Sequence, residues 1–168
     1  MSRSITVSVD RSTGANRQAR ELVTLQAPDD AAGRAMAVVG VLSETVAVAQ
    51  FTDGGSAVGT YQLAGSLPAG AIVLYSRIGP VTGFAGDTSA TMTIGDGSDV
   101  DRYMTGTPSV FTTAAVGVEC GVPSGTKLLT ADNRPTLTIT SNADFTSVVS
   151  NGSGVVTVSI FYIPPAPT

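Results

Sequence analysis

Histidine and tryptophan are missing from this 168-residue chain, and cysteine and lysine each occur once, as Cys120 and Lys127. Nucleophilic, acid–base and metal sites lean on His, Cys and Lys, of which this chain offers almost none, and without histidine the usual triad cannot be built. A lone cysteine excludes an internal disulfide, and Cys120 reads as a buried small hydrophobe. Charge is scarce too. Charged residues make up 13% of the chain, against roughly 25% in ordinary soluble domains. No stretch approaches the roughly 20 apolar residues of a membrane span, so no membrane partner is expected. Met1-Ser2-Arg3-Ser4-Ile5 does not open a signal peptide, because the apolar stretch is short and already alternates.

What fills the space is Val, Thr, Ser, Ala and Gly in short alternating runs. Val156-Thr157-Val158-Ser159-Ile160 is typical. Alternation of apolar and polar residues is the period of a half-buried strand, so the chain reads as all-β. Strands are expected at Ser4–Val9, Leu22–Leu25, Thr45–Phe51, Val58–Leu63, Ala71–Ile78, Ser89–Ile94, Val110–Val118, Thr136–Thr140 and Val155–Ile163. Ala31–Leu42 is ambiguous, and strand is favoured over helix because Gly33 and Gly40 weaken a helix. Turns are expected at Asp53-Gly54-Gly55-Ser56, Pro68-Ala69-Gly70, Gly95-Asp96-Gly97-Ser98-Asp99 and Asn151-Gly152-Ser153-Gly154. The Pro164-Pro165-Ala166-Pro167 tail cannot continue a sheet. Many short strands and no expected helix point to a sandwich or barrel. The organisation reads as an N-terminal strand and Arg-bearing arm (1–34), a sandwich domain (35–163) and a Pro-rich tail (164–168).

A net charge of −4 argues against a dedicated nucleic-acid binder. The basic residues are nevertheless uneven. Arg3, Arg11, Arg17, Arg20 and Arg34 all fall in the first fifth of the chain. They form either a solvated polar segment or an arm that docks on an acidic partner surface. A surface poor in charge suits a chain covered by other chains, so an assembly component is favoured over a lone monomer.

Asp87-Thr88-Ser89-Ala90 looks like the signature around an aspartic-protease carboxylate. That chemistry needs two carboxylates sharing one proton, hence a homodimer here, and large apolar residues before the Asp. Ala85 and Gly86 stand there instead, so a turn is the better account. Asp96, Ser98, Asp99 and Asp101 form an oxygen-rich cluster without the spacing of an EF-hand, and a hairpin turn is preferred to a Ca²⁺ site. The glycine-rich turns lack the lysine and strand-to-helix context of a P-loop, and no Gly-x-Ser-x-Gly elbow occurs. No catalytic residue, cofactor site or metal site is assigned, and no enzyme activity is expected.

Three stretches carry a family likeness. They are Leu67-Pro68-Ala69-Gly70-Ala71-Ile72-Val73, Phe84-Ala85-Gly86-Asp87-Thr88-Ser89-Ala90, and Ile94-Gly95-Asp96-Gly97-Ser98-Asp99-Val100-Asp101-Arg102-Tyr103. Together they resemble the head decoration, or cement, proteins of tailed bacteriophages. The resemblance implies a jelly-roll-like antiparallel β-sandwich with an extended N-terminal segment. It also implies a structural virion protein on the capsid exterior, present in the host cytoplasm during assembly. Its partners would be the major capsid protein and further copies of itself, a homotrimer being favoured over a dimer. Arg11, Arg17, Arg20 and Arg34 are the capsid-contact candidates. The alternative is a tail, baseplate or fibre-associated jelly roll that binds host glycan, which the lack of Trp platforms weakens.

Overall fold

Strict alternation along the last strand decides how the chain is layered. The computed structural model describes residues 39–113, 118–125 and 127–165. Its elements run β1 (Gly40–Ala47), β2 (Thr52–Asp53), β3 (Val58–Gln62), β4 (Ile72–Thr82), β5 (Ala90–Gly95), β6 (Val118–Gly121), β7 (Thr136–Ser141), α1 (Phe145–Asn151) and β8 (Val155–Ile163). Sheet A has the order β1-β8-β4-β6 and sheet B the order β2-β3-β7-β5. All pairings within them are antiparallel. In β8, Val156, Val158, Ile160 and Tyr162 are buried, while Val155, Thr157, Ser159, Phe161 and Ile163 lie on the other face. A slip of one residue would exchange the two sets, so burial pins the register. That register runs unbroken against β1, from Ala47↔Val155 to Gly40↔Tyr162.

The stretch Tyr103–Val110 runs back along β5. The Tyr103 amide donates to the Ile94 carbonyl at 3.0 Å, Met92 to Pro108 at 3.0 Å and Val110 to Ala90 at 2.9 Å. With this stretch as the irregular outer member of sheet B, the chain crosses between sheets in the order of a jelly roll. The fold is therefore an all-β, jelly-roll-like sandwich, as expected.

Between the sheets Ile78, Val158 and Ile160 meet Met92, Ile94, Leu137 and Ile139 in one buried cluster. One end is closed by aromatics. The Phe51 ring lies 5.9 Å from Phe84, edge to face, and 6.2 Å from Phe145. Gly59 makes room for this plug, since a side-chain carbon there would fall 2.0 Å from the Phe145 ring. The buried hydroxyls are satisfied: Ser76 donates to the Tyr103 carbonyl at 2.8 Å and Ser141 to the Ala57 carbonyl at 3.1 Å. Among the described residues no buried side-chain polar atom lacks a partner, as a specified core requires.

Three expectations need correction. The chain has a helix, α1, where none was expected. Asp144 caps it by accepting from the Thr146 amide at 3.0 Å, Gly152 ends it in a left-handed conformation, and Phe145 and Val148 bury one side. Val110–Val118 is not one strand: Val110 bonds to β5, 111–113 turn away, and Val118 opens β6 on the other sheet. Thr45–Phe51 is strand only to Ala47, because Val48–Gln50 form a 3₁₀ turn that carries the chain towards sheet B. The strands expected at Ser4–Val9 and Leu22–Leu25 lie outside the described residues.

Candidate functional site

The acidic residues singled out in the sequence are used by the loops. Asp87 accepts from the Thr88 amide at 2.7 Å and from the Ala143 amide, tying the loop before β5 to the loop before α1. These amides hold its carboxyl below the ordinary carboxylate range. A protease dyad needs a carboxyl ready to share a proton. Both oxygens of Asp87 are instead engaged by backbone amides of its own loops. Asp53 closes its own turn through the Gly55 amide at 2.8 Å and accepts from the Thr146 hydroxyl at 2.7 Å.

Asp96 accepts from the amides of Ser98 and Asp99 at 2.9 and 2.8 Å. This is the turn expected of Gly95–Asp99. Asp99 accepts from the Asp101 amide at 3.4 Å and, lying beside it, pushes the Asp101 carboxyl up. Among the described residues no group of three or more His, Cys, Asp or Glu side chains is placed to hold a metal ion.

Next to this turn is an open depression of about 420 Å³, lined by Asp96, Arg102, Tyr103 and the 128–133 loop. Several of its polar groups are engaged in hydrogen bonds within and around it. The Tyr103 hydroxyl donates to Asn133 Oδ1 at 2.8 Å, Asn133 donates to the Asp96 carbonyl at 3.2 Å, and Asp132 accepts from the Ala69 amide at 2.7 Å. Burial and the Asp96 charge push the Tyr103 phenol up to about 12, so it stays a donor. The depression is a braced loop junction. Cys120 is buried and its thiol is pushed up to about 11 by that burial, which suits an inert packing residue.

The two sheets also present outer faces. On the outside of sheet A, cross-strand partners place Val41, Phe161 and Tyr75 in one row and Ile163, Ile72 and Leu128 in the next. Tyr75 and Phe161 stack with centroids 4.4 Å apart. Ile72 is 37% and Leu128 48% exposed. Beyond these rows Ser43 bonds Ser159 at 3.0 Å and Thr45 bonds Thr157 at 2.9 Å. The ionisable residues that the register places on this face are Arg77 and Glu119, opposite each other. The outside of sheet B is a hydroxyl field, in which Thr52, Thr60, Thr138 and Thr93 form one row across all four strands.

Sequence reasoning missed the sheet A patch. Its residues come from four separated stretches, and Leu128 belongs to no named strand. Arg11, Arg17, Arg20 and Arg34, the sequence-based contact candidates, precede Val39 and lie outside the described residues. Among the described residues no helix is long and apolar enough to cross a membrane.

No protein-family model and no curated protein matches the chain. Among solved structures it is similar to a chain of the "Cyanophage Pam1 capsid asymmetric unit", at 23% identity and a TM-score of 0.38, over 83% of this chain and 95% of that one. It is also similar to a family two carbohydrate esterase from Cellvibrio japonicus, at 11% identity and a TM-score of 0.27, over 76% of this chain and 36% of that one. Backbones that superpose this loosely do not establish a shared function.

Proposed function

We propose that this chain is a non-catalytic structural protein of a phage virion, a decoration protein that binds the outside of the head and bridges major capsid subunits. The observation that carries this reading is the division of labour among the side chains. The carboxylates of Asp53, Asp87 and Asp96 are spent on turns and loop ties. The two sheets present outer faces poor in charge, which suits them to lying against other chains. The sequence likeness over residues 67–103 points the same way. A ligand that binds only the mature shell stabilises it by mass action, and repetition over many sites adds strength without any single tight contact.

In this reading Arg11, Arg17, Arg20 and Arg34 reach an acidic capsid surface. Co-sedimentation with expanded heads tests it. The chain should pellet with expanded heads and stay in the supernatant with unassembled coat protein. Replacing the four arginines with glutamate should weaken pelleting, more so at low salt, where charge attraction is least screened. A chain that stays in the supernatant with expanded heads at ~10 μM, well above a useful affinity, removes the proposal.

A further inference from the structure

We propose that Asn151 is a site of spontaneous deamidation whose pace is set by opening of the last turn of α1. The inference stands apart from the decoration reading. Asn151-Gly152 is the one Asn-Gly pair in the chain. Glycine has no side chain to shield its amide nitrogen, so that nitrogen can reach the asparagine side chain ahead of it. The other asparagines among the described residues are worse placed. Asn133 is held at both ends of its amide, accepting from the Tyr103 hydroxyl at 2.8 Å and donating to the Asp96 carbonyl at 3.2 Å. Asn142 is followed by Ala143, whose amide is given to Asp87. Asn151 is exposed, and the amide it needs, that of Gly152, donates to the Val149 carbonyl at 3.0 Å. That bond closes the C-terminal end of α1 and keeps the proton on the nitrogen that would attack. The turn must open before the reaction can start, and a helix of seven residues opens locally at little cost.

Once it opens, the Gly152 nitrogen loses its proton to water and bonds to Asn151 Cγ. The Cγ–Nδ2 bond breaks, the side-chain nitrogen takes up a proton and leaves as ammonia, and a succinimide ring remains. Water then adds to one of the two ring carbonyls. Ring opening leaves either aspartate or isoaspartate, whose backbone runs through Cγ and is longer by a methylene. Water is consumed, ammonia is released, and nothing is oxidised or reduced. The surroundings give the change a consequence. The backbone of Gly86 lies against this end of the helix, since a side-chain carbon there would fall 2.3 Å from the Ser147 carbonyl oxygen and 3.0 Å from Asn151 Cβ. Just beyond, the Gly154 carbonyl accepts from the Val48 amide at 2.8 Å, and the Ser153 hydroxyl donates to the Gly83 carbonyl at 3.4 Å. A longer backbone must fit between these fixed points. The new carboxylate also stands at the carbonyl end of α1, where negative charge is unfavourable. Ageing at Asn151 therefore loosens the entry into β8.

The test is peptide mapping by mass spectrometry of the full chain, aged in mildly alkaline buffer both folded and in concentrated urea. Folded wild type should gain acid at Asn151 ahead of Asn133 and Asn142, and more slowly than in urea. Asp144→Ala removes the cap of α1 and leaves the Asn-Gly pair untouched. It should speed the reaction at Asn151 about 5-fold in the folded chain and leave the rate in urea unchanged. Thr146→Val, which loses the hydroxyl bond to Asp53, should act in the same direction. Circular dichroism checks that both variants stay folded. Aged wild type should melt at a lower temperature than fresh protein. Aged Asn151→Gln should not, because its larger ring closes far more slowly. A folded rate equal to the rate in urea overturns the proposal, as do wild-type rates in both folded helix variants. Acid appearing first at Asn133 or Asn142 overturns it too, and so does an equal fall in melting temperature for aged Asn151→Gln.

Discussion

The outer faces of the two sheets come from the same alternating grammar and end with opposite characters. On sheet A the outward positions of three neighbouring strands bring Val41, Phe161 and Tyr75 into one row. On sheet B the equivalent positions bring Thr52, Thr60, Thr138 and Thr93 into one row. Among the described residues the hydroxyls of sheet A bond across strands, as Ser43 does with Ser159, while Thr60, Thr138 and Thr93 form no such pair. On the first face each hydroxyl pair has one donor satisfied within the sheet. The second keeps a lattice of hydroxyls that water can solvate. Period decides which residues face out, and only their identity decides whether that surface is kept wet or given to another chain.

Both faces share one backing, so the largest effect comes from removing it. Phe145 is fully buried between the sheets, against Phe51 and over Gly59. Phe145→Ala should cost about 3–5 kcal/mol in urea unfolding, because the glycine opposite leaves the cavity no side chain to collapse into it. The loss should register equally with probes on sheet A and sheet B. Separate transitions for the two would break the premise that they rest on a single core.

A smaller effect sharpens the contrast directly. Double-mutant cycles measure what neighbours on each face give one another. Tyr75 and Phe161, stacked at 10° between planes, should couple by about 0.5–1.5 kcal/mol in dilute, dissociated protein. Thr60 and Thr138, paired across β3 and β7 without a shared hydrogen bond, should couple by only about 0.2 kcal/mol. A threonine coupling equal to the aromatic one would erase the distinction drawn between the faces.

Much of this arrangement was legible in the sequence. The faces of β8, the β5 and β7 strands and the turns at Asp53–Ser56 and Gly95–Asp99 could be read locally, because alternation and turn chemistry are local. The helix α1 was overlooked although its marks are present: Asp144 as cap, Phe145 and Val148 three apart, Gly152 at the end. At seven residues it is too short for periodicity to stand out. The patch on sheet A was not legible at all. Ile72, Leu128 and Ile163 become neighbours only through the antiparallel register of β4 with β8 and the isolated bridge to Leu128. The candidate site is thus a product of pairing between distant stretches, which a single sequence does not announce.

The smallest effect separates the faces from the loops that join them. No outward position of sheet B titrates, whereas Asp87 clamps two loops as a carboxylate held below its ordinary range by the Ala143 and Thr88 amides. A carboxyl whose folded value is depressed contributes stability above its unfolded value, about 3.9 for Asp. That contribution is lost as pH falls through the lower folded value. Asp87→Asn should therefore be less stable than wild type at neutral pH, and the gap should narrow on the acid side. Melting temperatures from neutral pH to strong acid measure this. A gap that stays constant into acid would move the titrating tie away from Asp87. The next place to look would be Asp144, whose carboxyl the Thr146 amide holds low in the same way at the start of α1.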